Sequence, residues 1–148
     1  MTPRALLDRL LEALRPEHPG AYRGQRGVGQ RWEALAAKRL RREGYVVKER
    51  NFRARAGEID LVAEENGVLC FIEVKGRRGE GFGTPAEAVT VEKQRRIARA
   101  AEEYLAIRRL GAPPCRFDVV AILESEQKTE VTILRNAFEQ PPESRPHR

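Results

Sequence analysis

The chain has 148 residues, the length of one ordinary domain, and 41% of them are hydrophobic, which excludes a wholly disordered protein. Its longest apolar runs, Val68–Ile72 and Val119–Leu123, have five residues each, whereas a membrane helix needs about 20. The first residues do not resemble a signal peptide, because charged residues interrupt their leucines. We therefore expect a soluble cytoplasmic protein with no membrane partner.

The positive charge is concentrated in one part of the chain. The chain has 28 Lys and Arg residues and 22 Asp and Glu residues. The segment from Arg26 to Arg55 alone contains ten basic residues and only three acidic ones. Such a segment favours a polyanionic partner, most simply nucleic acid. The alternative is a solvated surface, since 23 of the 28 basic residues are arginine. The candidate nucleic-acid-binding residues are Arg39, Arg42, Arg50, Arg53, Arg55 and Arg77.

The two cysteines, Cys70 and Cys115, both lie in apolar stretches. The sequence has no Cys-x-x-Cys motif and no Cys/His cluster, which excludes a thiolate zinc site. We expect both to be buried core thiols.

Two helices are predicted before the first strand. Leucines at helical spacing predict an amphipathic helix at the N-terminus. This helix and the linker that follows it span residues 1–25. The loop is predicted over Pro16–Gly29, and a second helix over Gln30–Glu43, with Gly44 as its stop. The leucine stripe needs a partner, either a second copy in a homodimer or an apolar patch of the same chain.

The remaining elements are mainly strands. Strands are predicted at Tyr45–Glu49, Glu58–Glu65, Val68–Lys75, Arg116–Leu123 and Glu130–Leu134. A capping box at Thr84 opens helical sequence that continues, in one or two pieces, to about Leu110. Because a helix links the third and fourth strands, those two should be parallel. The fold is thus predicted as α/β with a mixed sheet flanked by helices, in the order α-α-β-β-β-α-β-β. The main domain spans 26–138, and 139–148 form a flexible tail.

Asn66-Gly67 is a strong hairpin signal and fixes a register. Extended along both strands, this register places Asp60 opposite Glu73 and Glu58 opposite Lys75. One face then carries a core row, listed as Ile59, Leu61, Ala63, Cys70, Ile72 and Val74.

Opposed carboxylates repel each other, so a sheet selected for stability alone would not place Asp60 against Glu73. A divalent cation between them removes the repulsion, and oxygen ligands suit Mg²⁺ or Mn²⁺. The alternative is an exposed sheet face that tolerates the repulsion and carries a Glu58–Lys75 pair.

Asp60 followed by Glu73-Val74-Lys75 resembles the signature of the PD-(D/E)xK nuclease superfamily, which includes restriction endonucleases and Holliday-junction resolvases. Over about residues 26–135 the chain is similar, more narrowly, to the bacterial YraN-like family of uncharacterised proteins. That family usually has Gly-Glu where this chain has Trp32-Glu33. The motifs that carry the narrower similarity are Glu33-x-x-Ala36, Gly44-Tyr45, Arg50-Asn51-Phe52-Arg53, Gly57 to Val62, Phe71 to Lys75 with Arg77, Phe82-Gly83-x-Pro85 and Arg116 to Val120.

The superfamily resemblance implies roles for individual residues. Asp60 and Glu73 would bind Mg²⁺ or Mn²⁺, with the Val74 backbone carbonyl as a third ligand. Lys75 would position the attacking water, and Glu33 would reach the metal directly or through water.

Three further residues keep two interpretations each. Glu58 either pairs with Lys75 or acts as an outer ligand. Asp118 lies at the edge of the site or bonds a loop. Lys93 and Gln94 begin a helix that, in related nucleases, borders the site. In this chain, Lys93 either contacts phosphate or belongs to a solvated helix face.

The sequence therefore predicts a metal-dependent endonuclease that hydrolyses phosphodiester bonds in nucleic acid, with structured or branched DNA as the first choice of substrate. Two alternatives stay open. One is a non-catalytic nucleic-acid-binding module in a DNA-processing complex, and the other is an RNA-directed nuclease.

Overall fold

A computed structural model describes residues 26–78 and 89–140 of the chain. These residues form two helices and five strands. The helices are α1 (Arg26–Arg42) and α2 (Val91–Ile107), and the strands are β1 (Val46–Arg53), β2 (Glu58–Glu65), β3 (Val68–Arg78), β4 (Cys115–Glu124) and β5 (Thr129–Phe138). The predicted N-terminal helix, the Thr84 capping box and most of the predicted tail lie outside the described residues.

The strands form one mixed sheet in the order β1-β2-β3-β4-β5. β3 and β4 are parallel and are joined through α2, as predicted, and every other neighbouring pair is antiparallel. A mixed α/β fold is thus confirmed. Neither helix of the described part is long and apolar enough to cross a membrane.

The sheet has a hydrophobic core on each face. On one face, Trp32, Ala36 and Leu40 of α1 pack against a row that includes Leu61 and Ile72. On the other face, the core is built around α2 and includes Phe71, Ile97, Tyr104 and Val119. A side chain therefore faces α1 or α2 according to its position along the strand.

The β2–β3 hairpin has the predicted register. Asn66 and Gly67 both have positive φ, 51° and 78°, as a two-residue type I′ turn requires. Five pairs follow, from Glu65 opposite Val68 to Leu61 opposite Ile72. The pairing ends there, so the predicted opposition of Asp60 with Glu73 and of Glu58 with Lys75 within the ladder is wrong.

The core row predicted for β2 is also wrong at Ile59. Leu61 and Ala63 face α1, but Ile59 packs in the α2 core beside Phe52, its partner on β1. The change of side occurs at Asp60, opposite the point where Asn51 has a positive φ of 53°. The regular alternation of β2 is therefore interrupted at Asp60.

Several predicted boundaries are corrected. α1 begins at Arg26, so the end of the predicted Pro16–Gly29 loop is helical. α2 begins at Val91, after the N-cap Thr90, and ends at Ile107 because Arg109 takes a positive φ of 54°. The predicted start at Thr84 is not tested, because it lies outside the described residues, whereas α2 ends at Ile107, three residues before the predicted end near Leu110.

The strand ends and one cysteine also differ from expectation. β1, β3 and β5 run three or four residues beyond the predicted strands. Cys70 is buried as expected, but Cys115 is exposed because it lies at the start of β4, before the strand enters the core.

Candidate functional site

Asp60 lies where β2 separates from β3. Its Oδ2 accepts a hydrogen bond of 2.8 Å from the backbone N–H of Val74. This side-chain bond replaces the backbone bond that a continued ladder would supply. Since N–H and C=O of one strand residue point toward the same neighbouring strand, the Val74 carbonyl faces the same gap between β2 and β3.

Glu73 is buried next to Asp60 and is held by two lysines. Its Oε1 lies 3.3 Å from Lys75 Nζ and 2.9 Å from Lys93 Nζ. Lys75 is buried on the same strand, whereas Lys93 comes from the first turn of α2. The Glu73 carboxyl group and two ammonium groups therefore meet on the α2 side of the sheet, and Asp60 adjoins them at the end of the β2–β3 pairing.

The surroundings of Asp60 disfavour its ionised form. Burial raises the pKa of Asp60 well above its usual range, and the Glu73 charge adds to the effect, while the Val74 hydrogen bond opposes it. A hydrogen bond between the two carboxyl groups also raises the pKa of Asp60. Burial, the Glu73 charge and the hydrogen bond with Glu73 thus all favour the protonated form of Asp60.

Lys75 is also perturbed. Burial lowers the pKa of Lys75 and the Lys93 charge lowers it further, whereas the Glu73 charge opposes both. A buried ammonium with a lowered pKa is better able to exchange a proton near neutral pH than a solvent-exposed lysine.

Glu33 reaches the same region from α1. Burial raises the pKa of Glu33, a hydrogen bond with the Asn51 side chain lowers it, and the charges of Glu58 and Glu73 raise it. The Glu33 charge in turn contributes to the raised pKa of Asp60. Glu33, Asp60 and Glu73 therefore act on one another electrostatically although they belong to different elements.

Packing of α1 on β3 fixes the position of Glu33. The neighbouring residue Trp32 is buried, and its Nε1–H donates to Glu124 Oε2 at 3.3 Å. A Cβ placed on Gly76, one residue after Lys75, would lie 2.2 Å from Trp32 Cε3. The indole ring thus lies directly on the β3 backbone, and only glycine permits this close approach.

Asp60 and Glu73 are the two side chains best placed to bind a metal ion, with the Val74 carbonyl as a third oxygen. Within 26–78 and 89–140, no three or more His, Cys, Asp and Glu side chains form a group that would hold a metal. Glu33 is close enough to affect the pKa of Asp60 but does not complete such a group.

The family assignment comes from comparison with known proteins. Residues 32–122 match the model of the Uncharacterised protein family UPF0102. The chain belongs to the UPF0102 family. The matched range contains Glu33, Asp60, Glu73, Lys75 and Lys93, so the whole described cluster lies in the part shared with the family.

Individual UPF0102 proteins are similar over most of their length. One from Symbiobacterium thermophilum is 52% identical over 116 residues, which cover 76% of this chain and 97% of the relative. One from Lachnoclostridium phytofermentans is 49% identical over 108 residues, covering 72% and 88%. A third, from Geotalea uraniireducens, is 42% identical over 115 residues, covering 77% and 91%.

Asp118 of this UPF0102 protein does not belong to the site. It pairs in register with Ile72, so it faces α1, away from Glu73. Its carboxylate is fully buried and accepts hydrogen bonds from Tyr45 Oη, Arg116 Nε and the Asn136 N–H, each at 2.8–2.9 Å. Of the two interpretations of Asp118, the structure therefore supports a role in hydrogen bonding within the fold and not a place at the edge of the site.

Glu58 does not pair with Lys75 as the sequence suggested. The register sets Glu58 opposite Arg53 of β1, and its side chain is exposed. It still raises the pKa of Glu33, so an outer position in the UPF0102 cluster is compatible with the geometry.

The predicted nucleic-acid-binding residues fall into two groups. Arg50 lowers the pKa of Glu33, so it lies near the cluster, and Arg53 and Arg55 continue along the same exposed segment. Arg77 follows Lys75 by two residues on β3 and shares its face. On α1, Arg39 pairs with Glu43 at 3.1 Å. Arg42 follows Glu33 by two and a half helical turns, so it lies on the side of α1 opposite to Glu33.

The structure adds two residues to which the sequence assigned no definite role. Lys93 contacts Glu73, and Asn51 bonds Glu33 from a backbone position with positive φ. The preference of asparagine for positive φ was a usable signal for Asn51. Gln94, which follows Lys93, is buried and donates to the Val89 carbonyl at 3.0 Å, so it stabilises the start of α2.

Proposed function

We propose that this UPF0102 protein is a metal-dependent phosphodiester hydrolase of the PD-(D/E)xK nuclease superfamily, acting on nucleic acid and first of all on structured or branched DNA. One observation carries the proposal. Two carboxyl groups, Asp60 and Glu73, are in contact where the β2–β3 ladder ends, and the buried ammonium of Lys75 lies beside them.

The donor set fits a hard divalent cation. Asp60, Glu73 and the Val74 carbonyl supply only oxygen, which Mg²⁺ and Mn²⁺ prefer. A bound cation of this kind supplies Lewis-acid catalysis, because it polarises a phosphoryl oxygen and lowers the pKa of a bound water. Burial, and after it the Glu73 charge, raise the pKa of Asp60, so the ionised form of this carboxyl group is unfavourable without such a cation.

The other residues have separate tasks in this proposal. Lys75 holds and orients the attacking water through its ammonium group. Burial of the side chain and its contact with Glu73 keep this group in place. Glu33 would reach the cation through water, since it influences Asp60 without joining a three-carboxylate group. Arg50, Arg53, Arg55 and Arg77 would bind phosphates on the exposed side of the cluster.

A second candidate function is a non-catalytic nucleic-acid-binding module. The observation that favours it is the neutralisation of Glu73 by Lys75 and Lys93, which satisfies this carboxylate without a metal. An RNA-directed nuclease shares the same site chemistry with the first proposal and differs from it only in substrate.

The decisive experiment compares cleavage of linear, nicked, flapped and four-way DNA, and of matched RNA, in Mg²⁺, Mn²⁺ or EDTA. We expect cleavage with either cation, none in EDTA, and loss of activity in Asp60→Asn, Glu73→Gln and Lys75→Ala. Glu64→Gln, which removes a carboxylate on the exposed Lys48 pair, is the control and should cleave normally. Binding of these substrates without cleavage in any cation would support the module instead.

A further inference from the structure

Lys93 occupies an unusual place for a residue of a helix surface. It lies in the first turn of α2, whose N-cap Thr90 accepts a hydrogen bond from the Lys93 N–H at 3.1 Å. Its side chain turns toward the sheet, and its Nζ lies 2.9 Å from Glu73 Oε1. The same oxygen also pairs with Lys75, at 3.3 Å.

We propose that Lys93 is a built-in competitor of the divalent cation, an ammonium that leaves Glu73 when the cation binds. This inference rests on the proposed function and adds a step to it. One carboxylate oxygen cannot remain close to two ammonium groups and a divalent cation, since the three positive charges would repel one another strongly in a buried site. One ammonium must therefore move away.

Burial identifies Lys93 as the group that moves. The side chain of Lys75 is 10% exposed, whereas that of Lys93 is 25% exposed. Lys75 is fixed on the central strand β3 two residues from Glu73, but Lys93 is held by a helix at the boundary of the site. Its long flexible side chain needs only a change of rotamer to reach solvent.

The displacement links metal binding to the binding of a polyanion. While Lys93 pairs with Glu73, its charge is neutralised and is not available to an anionic ligand. Once displaced, the ammonium lies at the entrance of the site and pairs with a phosphate of the nucleic acid. The positive charge at the entrance thus increases when the cation is bound.

Calorimetric titration with Mn²⁺, in the absence of nucleic acid, tests the competition. We expect Lys93→Met to bind Mn²⁺ about five- to twenty-fold more tightly than the parent protein, because the ammonium that the cation would displace from Glu73 is absent. Lys93→Arg keeps the charge and should retain an affinity near that of the parent. Lys48→Met is the matched control, since it removes a lysine from an exposed pair with Glu64, and its affinity should be unchanged.

The outcomes separate the two proposals. If the parent binds Mn²⁺ and Lys93→Met binds it equally or more weakly, the role of Lys93 is overturned and the proposed function stands. If Lys93→Arg gains as much affinity as Lys93→Met, charge competition is also overturned. If the parent binds no Mn²⁺, both proposals fail together. Lys93→Gln provides a second neutral variant and should behave as Lys93→Met does.

Discussion

The carboxyl group of Asp60 has two contacts that substitution can separate. It accepts the Val74 N–H and it adjoins Glu73. Asparagine keeps an oxygen that can accept from Val74, but it removes the negative charge that Asp60 would place beside Glu73. We expect Asp60→Asn to leave the metal-free stability unchanged or to raise it by up to ~1 kcal/mol, as measured by urea unfolding.

Asp60→Ala is the matched comparison, because it also loses the acceptor for the Val74 N–H. That variant should be less stable than Asp60→Asn by about 1 kcal/mol. A loss of more than ~2 kcal/mol in Asp60→Asn would mean that the charged carboxylate itself supports the fold, and would weaken the case for a metal site.

Glu65 gives a prediction for pH. Hydrogen bonds from Arg135, at 2.8 Å, and from Arg116 lower the pKa of Glu65 from 4.5 to about 2. A carboxyl group whose pKa is lowered on folding stabilises the protein above its unfolded pKa, and this stabilisation is lost as the pH falls toward the folded value. We expect the free energy of unfolding to decrease by about 2 kcal/mol between pH 5 and pH 2.5 through Glu65.

Urea unfolding of the parent and of Glu65→Gln over that pH range measures the effect. The variant should be less stable at pH 5 and should depend less on pH, because glutamine cannot titrate. Parallel pH profiles for the two proteins would show that the Glu65–Arg135 contact contributes nothing measurable.

Single residues of the site differ in how far the sequence could predict them. Asp60, Glu73 and Lys75 lie close together in a hairpin, so a turn signal and strand alternation were sufficient to group them. Glu33 and Lys93 come from separate helices, and their approach depends on how each helix packs on the sheet. No local pattern contains that information, so resemblance suggested Glu33 and only the structure revealed the contact of Lys93 with Glu73.

At the scale of elements, α1 depends on a close contact between Trp32 and Gly76. Because a Cβ on Gly76 would lie 2.2 Å from the indole ring, we expect Gly76→Ala to destabilise the protein by about 1–3 kcal/mol. Gly57→Ala is the control, since its added Cβ would lie 3.5 Å from Arg96 Cβ, an ordinary contact. Urea unfolding compares the two substitutions.

A double variant tests whether the contact with Trp32 is the cause. In Gly76→Ala with Trp32→Leu, the smaller side chain makes room for the new methyl group. The double variant should lose less stability than the sum of the two single variants, by over ~1 kcal/mol. Additive losses would show that the penalty at Gly76 has another origin.

The hairpin shows where prediction of an element stops. Asn66 and Gly67 determine the turn, and five residue pairs follow from it by counting. The end of the ladder at Leu61 depends instead on the bond from Val74 to Asp60 and on the positive φ of Asn51 in the neighbouring strand. The hydrogen bond from Val74 to Asp60 cannot be recognised from the sequence pattern. For this reason the sequence predicted that Asp60 and Glu73 are paired within a regular ladder.

At the scale of the whole molecule, the exposed arginines beside the cluster predict a salt-dependent affinity for nucleic acid. Each phosphate contact that is removed should reduce the slope of log K against log salt by about 0.9 for duplex DNA. We therefore expect Arg50→Gln with Arg53→Gln to reduce that slope by about 1 to 2. Fluorescence anisotropy with a labelled duplex, in EDTA at several salt concentrations, measures it.

The control for this variant has the same net charge. Lys38→Gln with Arg109→Gln also removes two exposed positive charges, from the outer side of α1 and from the end of α2. It should change the slope by less than about half as much. Equal slopes for the two double variants would indicate that only net charge matters, and that the surface beside Glu33 is not the nucleic-acid interface.

We have proposed that Asp60 and Glu73 form the metal centre of this protein. A crystal structure determined with Mn²⁺ tests it most directly, because the anomalous scattering of manganese locates the ion independently of its ligands. We predict one strong anomalous peak from a manganese ion that is bound by the Asp60 and Glu73 carboxylates and the Val74 carbonyl. Lys93 Nζ should be displaced from Glu73. No peak at saturating Mn²⁺, with both lysines still paired to Glu73, would show that Asp60 and Glu73 do not form a metal centre.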